Sequence, residues 1–264
     1  MAIRDNTENV REQYKDDSNL SVRSNLHAKY STNQQGFFSW LFEEYEFLKG
    51  YRILELGCGN GLQWHGRISR LPDDCILVLS DFSEGMVKAV WEKYSNEKNL
   101  LAQRIDIQSI PFPDNCFDVI IANHMLYHVP DLSKALAEVK RVLKSGGVFY
   151  AATNGNGGMH SYLREAFRQV NPGINAFTKD FSFSMQNGLE ILGRFFDDVK
   201  RYDYEDSLSV TVTEDLTAWL KSAVTISSYS ENDLDGFYDY FEGIRQREGA
   251  INIPKESGLF ISTK

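Results

Sequence analysis

This sequence predicts an α/β fold, a parallel sheet covered by helices on both faces, and three observations predict it. Short apolar runs recur through residues 51–153, each bounded by turn residues. Amphipathic stretches with helical spacing alternate with them, and the first run ends directly in a glycine cluster. Such alternation marks βαβ units, whose strands are buried on both faces and read as near-continuous apolar stretches.

Taken in order, the first fifty residues read as helical, with apolar side chains at helical spacing over Ser21–Tyr30 and Phe37–Leu48. Tyr51–Leu56 is a buried strand feeding a turn, and Leu62–Leu71 a helix after it. A second strand covers Cys75–Ser80 and a helix Ser83–Tyr94, with Ser83 as N-cap. Leu100–Ile105 and Phe117–Ala122 are the third and fourth strands. Asp131–Leu143 is strongly amphipathic, with Leu132, Ala135, Leu136, Val139, Val142 and Leu143 on one face, and Lys144–Gly147 stops it. Val148–Thr153 is the fifth strand. Beyond it the alternation breaks. Met159–Val170, Met185–Phe196, Thr213–Val224 and Glu231–Glu248 read as helices, Val199–Tyr204 as extended, and Gly258–Thr263 as a closing strand. The chain therefore divides into a helical cap (1–50), a ligand-binding core (51–153), and lid helices with closing strands (154–264) that complete the same domain.

The bulk properties exclude several classes. Hydrophobic residues make up 42% of the 264 and charged residues 25%, the balance of a folded globule rather than a disordered chain. A net charge of -9 without any Lys/Arg run argues against a nucleic-acid partner. Cys58, Cys75 and Cys116 form neither a disulfide framework nor a zinc motif, so no metal is expected. A polar N-terminus and the lack of a long apolar segment predict a cytoplasmic protein with no membrane partner.

Glu55-Leu56-Gly57-Cys58-Gly59-Asn60-Gly61 carries the chemistry. Glycines at alternate positions let the backbone approach a ligand closely and adopt positive φ. A dinucleotide fingerprint would need a glycine at position 62, which is Leu62. Asp81, at the end of the second strand, is placed to accept both hydroxyls of a ribose. NAD enzymes also put an acid there, so Asp81 alone leaves the two ligands undecided.

The G-x-G-x-G turn after an acid resembles the first motif of class I S-adenosylmethionine-dependent methyltransferases. Asp81-Phe82-Ser83-Glu84-Gly85-Met86, the stretch from Arg104-Ile105-Asp106-Ile107 through Ile110-Pro111-Phe112-Pro113, and Asn123-His124 are similar to that family's later motifs, in its order. The resemblance covers about residues 51–153. It implies a doubly wound, Rossmann-like sheet of seven strands, six parallel and the Gly258–Thr263 strand antiparallel. It also implies S-adenosyl-L-methionine as cofactor, held by Tyr30, Glu55, Gly57, Cys58, Gly59, Gly61, Asp81, Phe82, Met86, Asp106, Ile107, Asn123 and His124. Asp106 would accept from the adenine amino group, with the Ile107 N–H reaching a ring nitrogen. Tyr14 and Tyr30 would close over the cofactor, and His160 and Tyr162 would line a lid.

The activity implied is methyl transfer to a small-molecule N or O nucleophile, with His124 and His128 as catalytic candidates; His27 and His65 read as having no catalytic role. Two rivals stand beside it, a Rossmann-type NAD(P) oxidoreductase and a cofactor-binding module without turnover.

Overall fold

A computed structural model describes residues 18–224 and 229–264. Five apolar runs form the parallel strands β1 (Arg52–Leu56), β2 (Ile76–Asp81), β3 (Leu100–Arg104), β4 (Phe117–Asn123) and β5 (Leu143–Asn154). Asp198–Tyr204 follows as β6, Ser207–Val210 as β7, Ile251–Pro254 as β8 and Ser257–Thr263 as β9. The main sheet runs β3-β2-β1-β4-β5-β9-β6. Strand β9 is antiparallel to both its neighbours, β5 and β6, so six strands are parallel and one opposes them, as expected.

Residues of alternating parity along each strand supply opposite faces. On one face Leu54, Leu56, Val78, Ile120, Ala122, Phe149 and Ala151 pack on Ala135, Leu136, Val139 and Val142 of a helix over Leu132–Val142. That helix starts where expected, with the Asp131 carboxylate accepting the Lys134 N–H at 2.9 Å. On the other face Ile53, Leu77, Leu79, Val119, Ile121 and Tyr150 meet Leu41, Phe42, Trp64, Val90 and Tyr94. In chain order the helices are α1 (Ser18–Tyr30), α2 (Phe37–Glu44), α3 (Glu84–Tyr94), α4 (Leu132–Val142), α5 (Gly158–Val170), α6 (Gly188–Leu192), α7 (Thr213–Ser222) and α8 (Phe237–Glu248). A separate apolar cluster joins Leu26 and Tyr30 of α1, Leu163 and Phe167 of α5, Leu216 and Leu220 of α7, Phe237 and Phe241 of α8, and the ribbon β7–β8.

Several expected helices are shorter or broken. Leu62–Leu71 forms two 3₁₀ turns, Leu62–Trp64 and Ile68–Arg70. Gly66 at φ +69° interrupts it, and Trp64 turns inward to donate its indole N–H to Glu55. Phe37–Leu48 ends at Glu44 because Tyr45 becomes extended and enters the core. Only Gly188–Leu192 of Met185–Phe196 is helical, since the Met185 N–H bonds the Asn154 carbonyl at the end of β5. Glu231–Glu248 is split at Gly236 (φ +82°) into a 3₁₀ turn and α8. The chain also re-enters the sheet at Leu143, with a register shift opposite Phe117–Val119, rather than at Val148. The ribbon β7–β8 was not expected, since each strand is only four residues long and β8 ends in proline.

Among the described residues, no helix is long and apolar enough to cross a membrane.

Candidate functional site

Connections from β1 run outward to β2 and β3 on one side, while β4 and β5 lie on the other. The C-terminal ends of β1 and β4 therefore flank a topological switch point, where open α/β sheets leave a crevice. A cavity of about 940 Å³ opens there. Its walls come from the turn after β1, the ends of β2 and β4, the segment after β3, α1, α5 and the β8–β9 connection.

The glycine turn is held open by its own geometry. Gly57 and Gly59 have φ of +70° and +56°, and a Cβ on Gly57 would lie 2.8 Å from the Met125 side chain. The Cys58 N–H bonds the Ser80 carbonyl at 2.9 Å, which ties the turn to the end of β2. Asp81 follows Ser80; its two carboxylate oxygens accept the Gly59 and Ser83 N–H groups, each at 2.9 Å. Burial pushes the Asp81 carboxyl up, and those backbone donors oppose it.

Asp81 pairs with Arg104 across the β2–β3 ladder, and the Ile105 N–H donates to the Asp81 carbonyl at 3.1 Å. Asp106 thus begins two residues past the Asp81 rung, which puts the two α-carbons roughly 8 Å apart by strand geometry. Asp106 Oδ1 accepts the Gln108 N–H at 2.9 Å. Ile105 and Ile107, both buried, flank it on the cavity wall.

At the strand ends lies a polar knot. Glu55 is 2% exposed, and burial raises its carboxyl to about 7, against the opposing pull of the Trp64 indole N–H. The Asn123 amide donates to the Tyr45 hydroxyl (2.8 Å) and to Gln63 Oε1 (2.6 Å). Among the described residues, Asn123 Oδ1 and Gln63 Nε2 are buried with no hydrogen-bond partner. Acid, acceptor and donor here complement an ammonium and a carboxylate on one ligand. His124 follows with φ +52°, a left-handed conformation that costs a non-glycine residue ~1 kcal/mol or more. Its N–H bonds the Ala152 carbonyl at 2.8 Å, and its ring lies 5.0 Å from that of Phe37. Burial, then Lys255, pushes the imidazole down to about 4.

Of the residues expected to bind or act, Glu55, Gly57, Cys58, Gly59, Asp81, Phe82, Asp106, Ile107, Asn123, His124 and His128 line this one cavity. Tyr30, Gly61 and Met86 do not. Tyr30 is buried in the cap cluster, its hydroxyl donating to Asp215 at 2.5 Å. Gly61 packs under Tyr94, whose hydroxyl donates to its carbonyl at 2.8 Å. Met86 is fully buried on α3. Tyr14 lies outside the described residues. His160 is on the wall, between Phe177 and Phe181, whereas Tyr162 stacks on Phe241 in the cap. Sequence reasoning missed Gln63, read as part of a helix, and Lys255, which sits in no motif. His27 and His65, which carry no catalytic signal in the sequence, are also on the wall.

Residues 54–151 match the methyltransferase domain family. A demethylmenaquinone methyltransferase of Staphylococcus carnosus is 37% identical over 102 residues, covering 38% of this chain and 42% of that protein. An uncharacterised chloroplastic methyltransferase of Arabidopsis thaliana is 34% identical over 125 residues, 42% of this chain and 35% of that protein. The chain thus spans well under half the length of these curated relatives. Among solved structures, the YcgJ protein of Bacillus subtilis superposes with a TM-score of 0.62 at 16% identity, covering 86% of this chain and 97% of that one, a likeness of fold.

Proposed function

We propose, from the premise that residues 54–151 match the methyltransferase domain family, that this chain binds S-adenosylmethionine in the 940 Å³ cavity and methylates a small-molecule N or O nucleophile. One observation carries the reading: a glycine turn with no room for a side chain at Gly57 and two acids on adjacent strand ends open into a single cavity.

The residues present fit the cofactor. Asp81 would hold the ribose diol, Asp106 and the Ile107 N–H would meet the adenine edge, and Ile105 and Ile107 would cover its apolar faces. Glu55, Asn123 and Gln63 would take the amino-acid end, where a buried acceptor and a buried donor have no partner among the described residues. Bound there, the cofactor would supply an electrophilic sulfonium methyl group to the acceptor's lone pair. The chain's task is alignment and exclusion of water. His124, next to Asn123, and His128 stand at the acceptor side. His124, neutral at neutral pH, can accept a hydrogen bond from an acceptor hydroxyl or amine.

Isothermal titration with S-adenosylmethionine and S-adenosylhomocysteine tests the reading. Binding in the micromolar range is expected, and no heat at millimolar ligand would remove it.

A further inference from the structure

Resting on that reading, we propose that the acceptor end of the cavity is an oxyanion subsite built on Lys255, and that the atom methylated is the acidic oxygen of a phenol or enol. Lys255 follows β8 and lies on the cavity wall, its side chain 11% exposed. Its ammonium pairs with Asp206, which is fully buried. That carboxylate is saturated: it also accepts the Ser31 hydroxyl (2.7 and 2.8 Å) and the N–H groups of Asn33 (3.0 Å) and Ser207 (2.8 Å). Among the described residues Asp206 is the one hydrogen-bond partner of the ammonium, so two N–H donors remain for a ligand. Asp206 thus fixes the lysine head where α1, the β6–β7 link and the β8–β9 link meet.

The surrounding charges favour an acidic oxygen over a cation. Near Lys255 are His27 of α1 and His124 at the end of β4, with Arg23 of α1 beside His27. Burial, then Lys255 and His124, pushes His27 down to about 3, so both imidazoles are neutral at physiological pH. Their Nδ1 atoms are buried with no partner among the described residues. The carboxylate beside Lys255, Glu256, is committed to the Gly157 N–H (2.8 Å) and the Gln186 amide (2.6 Å). An ammonium acceptor would therefore meet the lysine ammonium, and the two acids nearest it among the described residues, Asp206 and Glu256, each already accept two or more hydrogen bonds. A hydroxyl meets donors suited to its ionised form: Lys255 stabilises the oxygen as its O–H bond breaks, and the proton is lost to water. The deprotonated oxygen would then be the nucleophile for methyl transfer. Met159, Leu163, Phe177, Phe181 and Trp219 line the neighbouring wall and suit a flat apolar body.

The test uses protein saturated with S-adenosylhomocysteine and para-nitrophenol as a chromophoric probe. The phenol should bind at least about tenfold more tightly than its methyl ether, para-nitroanisole, as a charge-assisted hydrogen bond requires. Its phenolate band should also appear at lower pH on the protein than in buffer. Lys255→Gln should abolish both effects. Because that change leaves Asp206 buried without its cation, the double variant Lys255→Gln/Asp206→Asn is measured alongside, with S-adenosylhomocysteine titration reporting an intact cofactor half. Equal affinity for phenol and ether, tighter binding of phenyltrimethylammonium, or a preference that survives in the double variant would each overturn the proposal. Failure of S-adenosylhomocysteine to bind the unaltered protein would instead sink the methyltransferase reading, so the two failures are separable.

Discussion

Glu55→Gln isolates the energetic consequence of burying an acid beneath the glycine turn. The side chain is 2% exposed, and burial raises its carboxyl from 4.5 to about 7. A folded-state value above the unfolded one means the folded protein holds an extra proton between those limits. The contribution to stability is then fully present below pH 4.5 and is lost as pH rises through 7. The interval is worth ~3 kcal/mol in total, of which about 2 kcal/mol falls between pH 5 and pH 7. Glutamine keeps the shape and an oxygen to accept the Trp64 indole N–H, but it does not titrate. Urea unfolding of both proteins at half-unit pH steps should show the variant gaining on the parent by about 2 kcal/mol over that range. Every other group is common to both, so the difference reports Glu55 alone. Parallel stability curves would refute the reasoning and show the carboxyl to be solvated.

Other perturbations follow from the same geometry. Gly57→Ala must hold a Cβ at φ +70° against Met125 at 2.8 Å; left-handed strain alone costs ~1–2 kcal/mol, and calorimetry should show cofactor binding weakened at least about tenfold. Asp81→Ala releases the Gly59 and Ser83 N–H groups and removes the ribose acceptor; S-adenosylhomocysteine affinity should fall by about ten- to a hundredfold, and unchanged affinity would show the diol lies elsewhere. Phe167→Ala deletes a fully buried ring 4.4 Å from Phe237 and 4.8 Å from Tyr229, with an expected loss of about 3–5 kcal/mol in chemical unfolding.

The half of the cavity proposed to hold the cofactor was legible in the sequence because its residues are local to strand ends. Gly57, Asp81, Asp106 and Asn123 each lie at or within two residues of a strand's end, so a correct strand assignment delivers them to one edge of the sheet. The apolar runs themselves mark the strands, and the parity of their residues sets which side chains reach each face. Helix lengths were less legible, because left-handed glycines such as Gly66 and Gly236 stop a helix that hydrophobic spacing would continue.

The half proposed to hold the acceptor was legible only in His124 and His128, which follow the end of β4. His27 and Lys255 come from opposite ends of the chain, carry no motif, and meet only where α1 and the β8–β9 link close over the switch point. Tyr30 shows the converse: a side chain suited to cover a ligand is instead drawn into the cap by Asp215 and its apolar neighbours. Sequence by itself thus determined the sheet and the glycine turn, since backbone conformation and strand periodicity act over a few residues. Which charges and imidazoles share a cavity was decided by tertiary packing alone, because burial and electrostatic neighbours are properties of distant segments brought together.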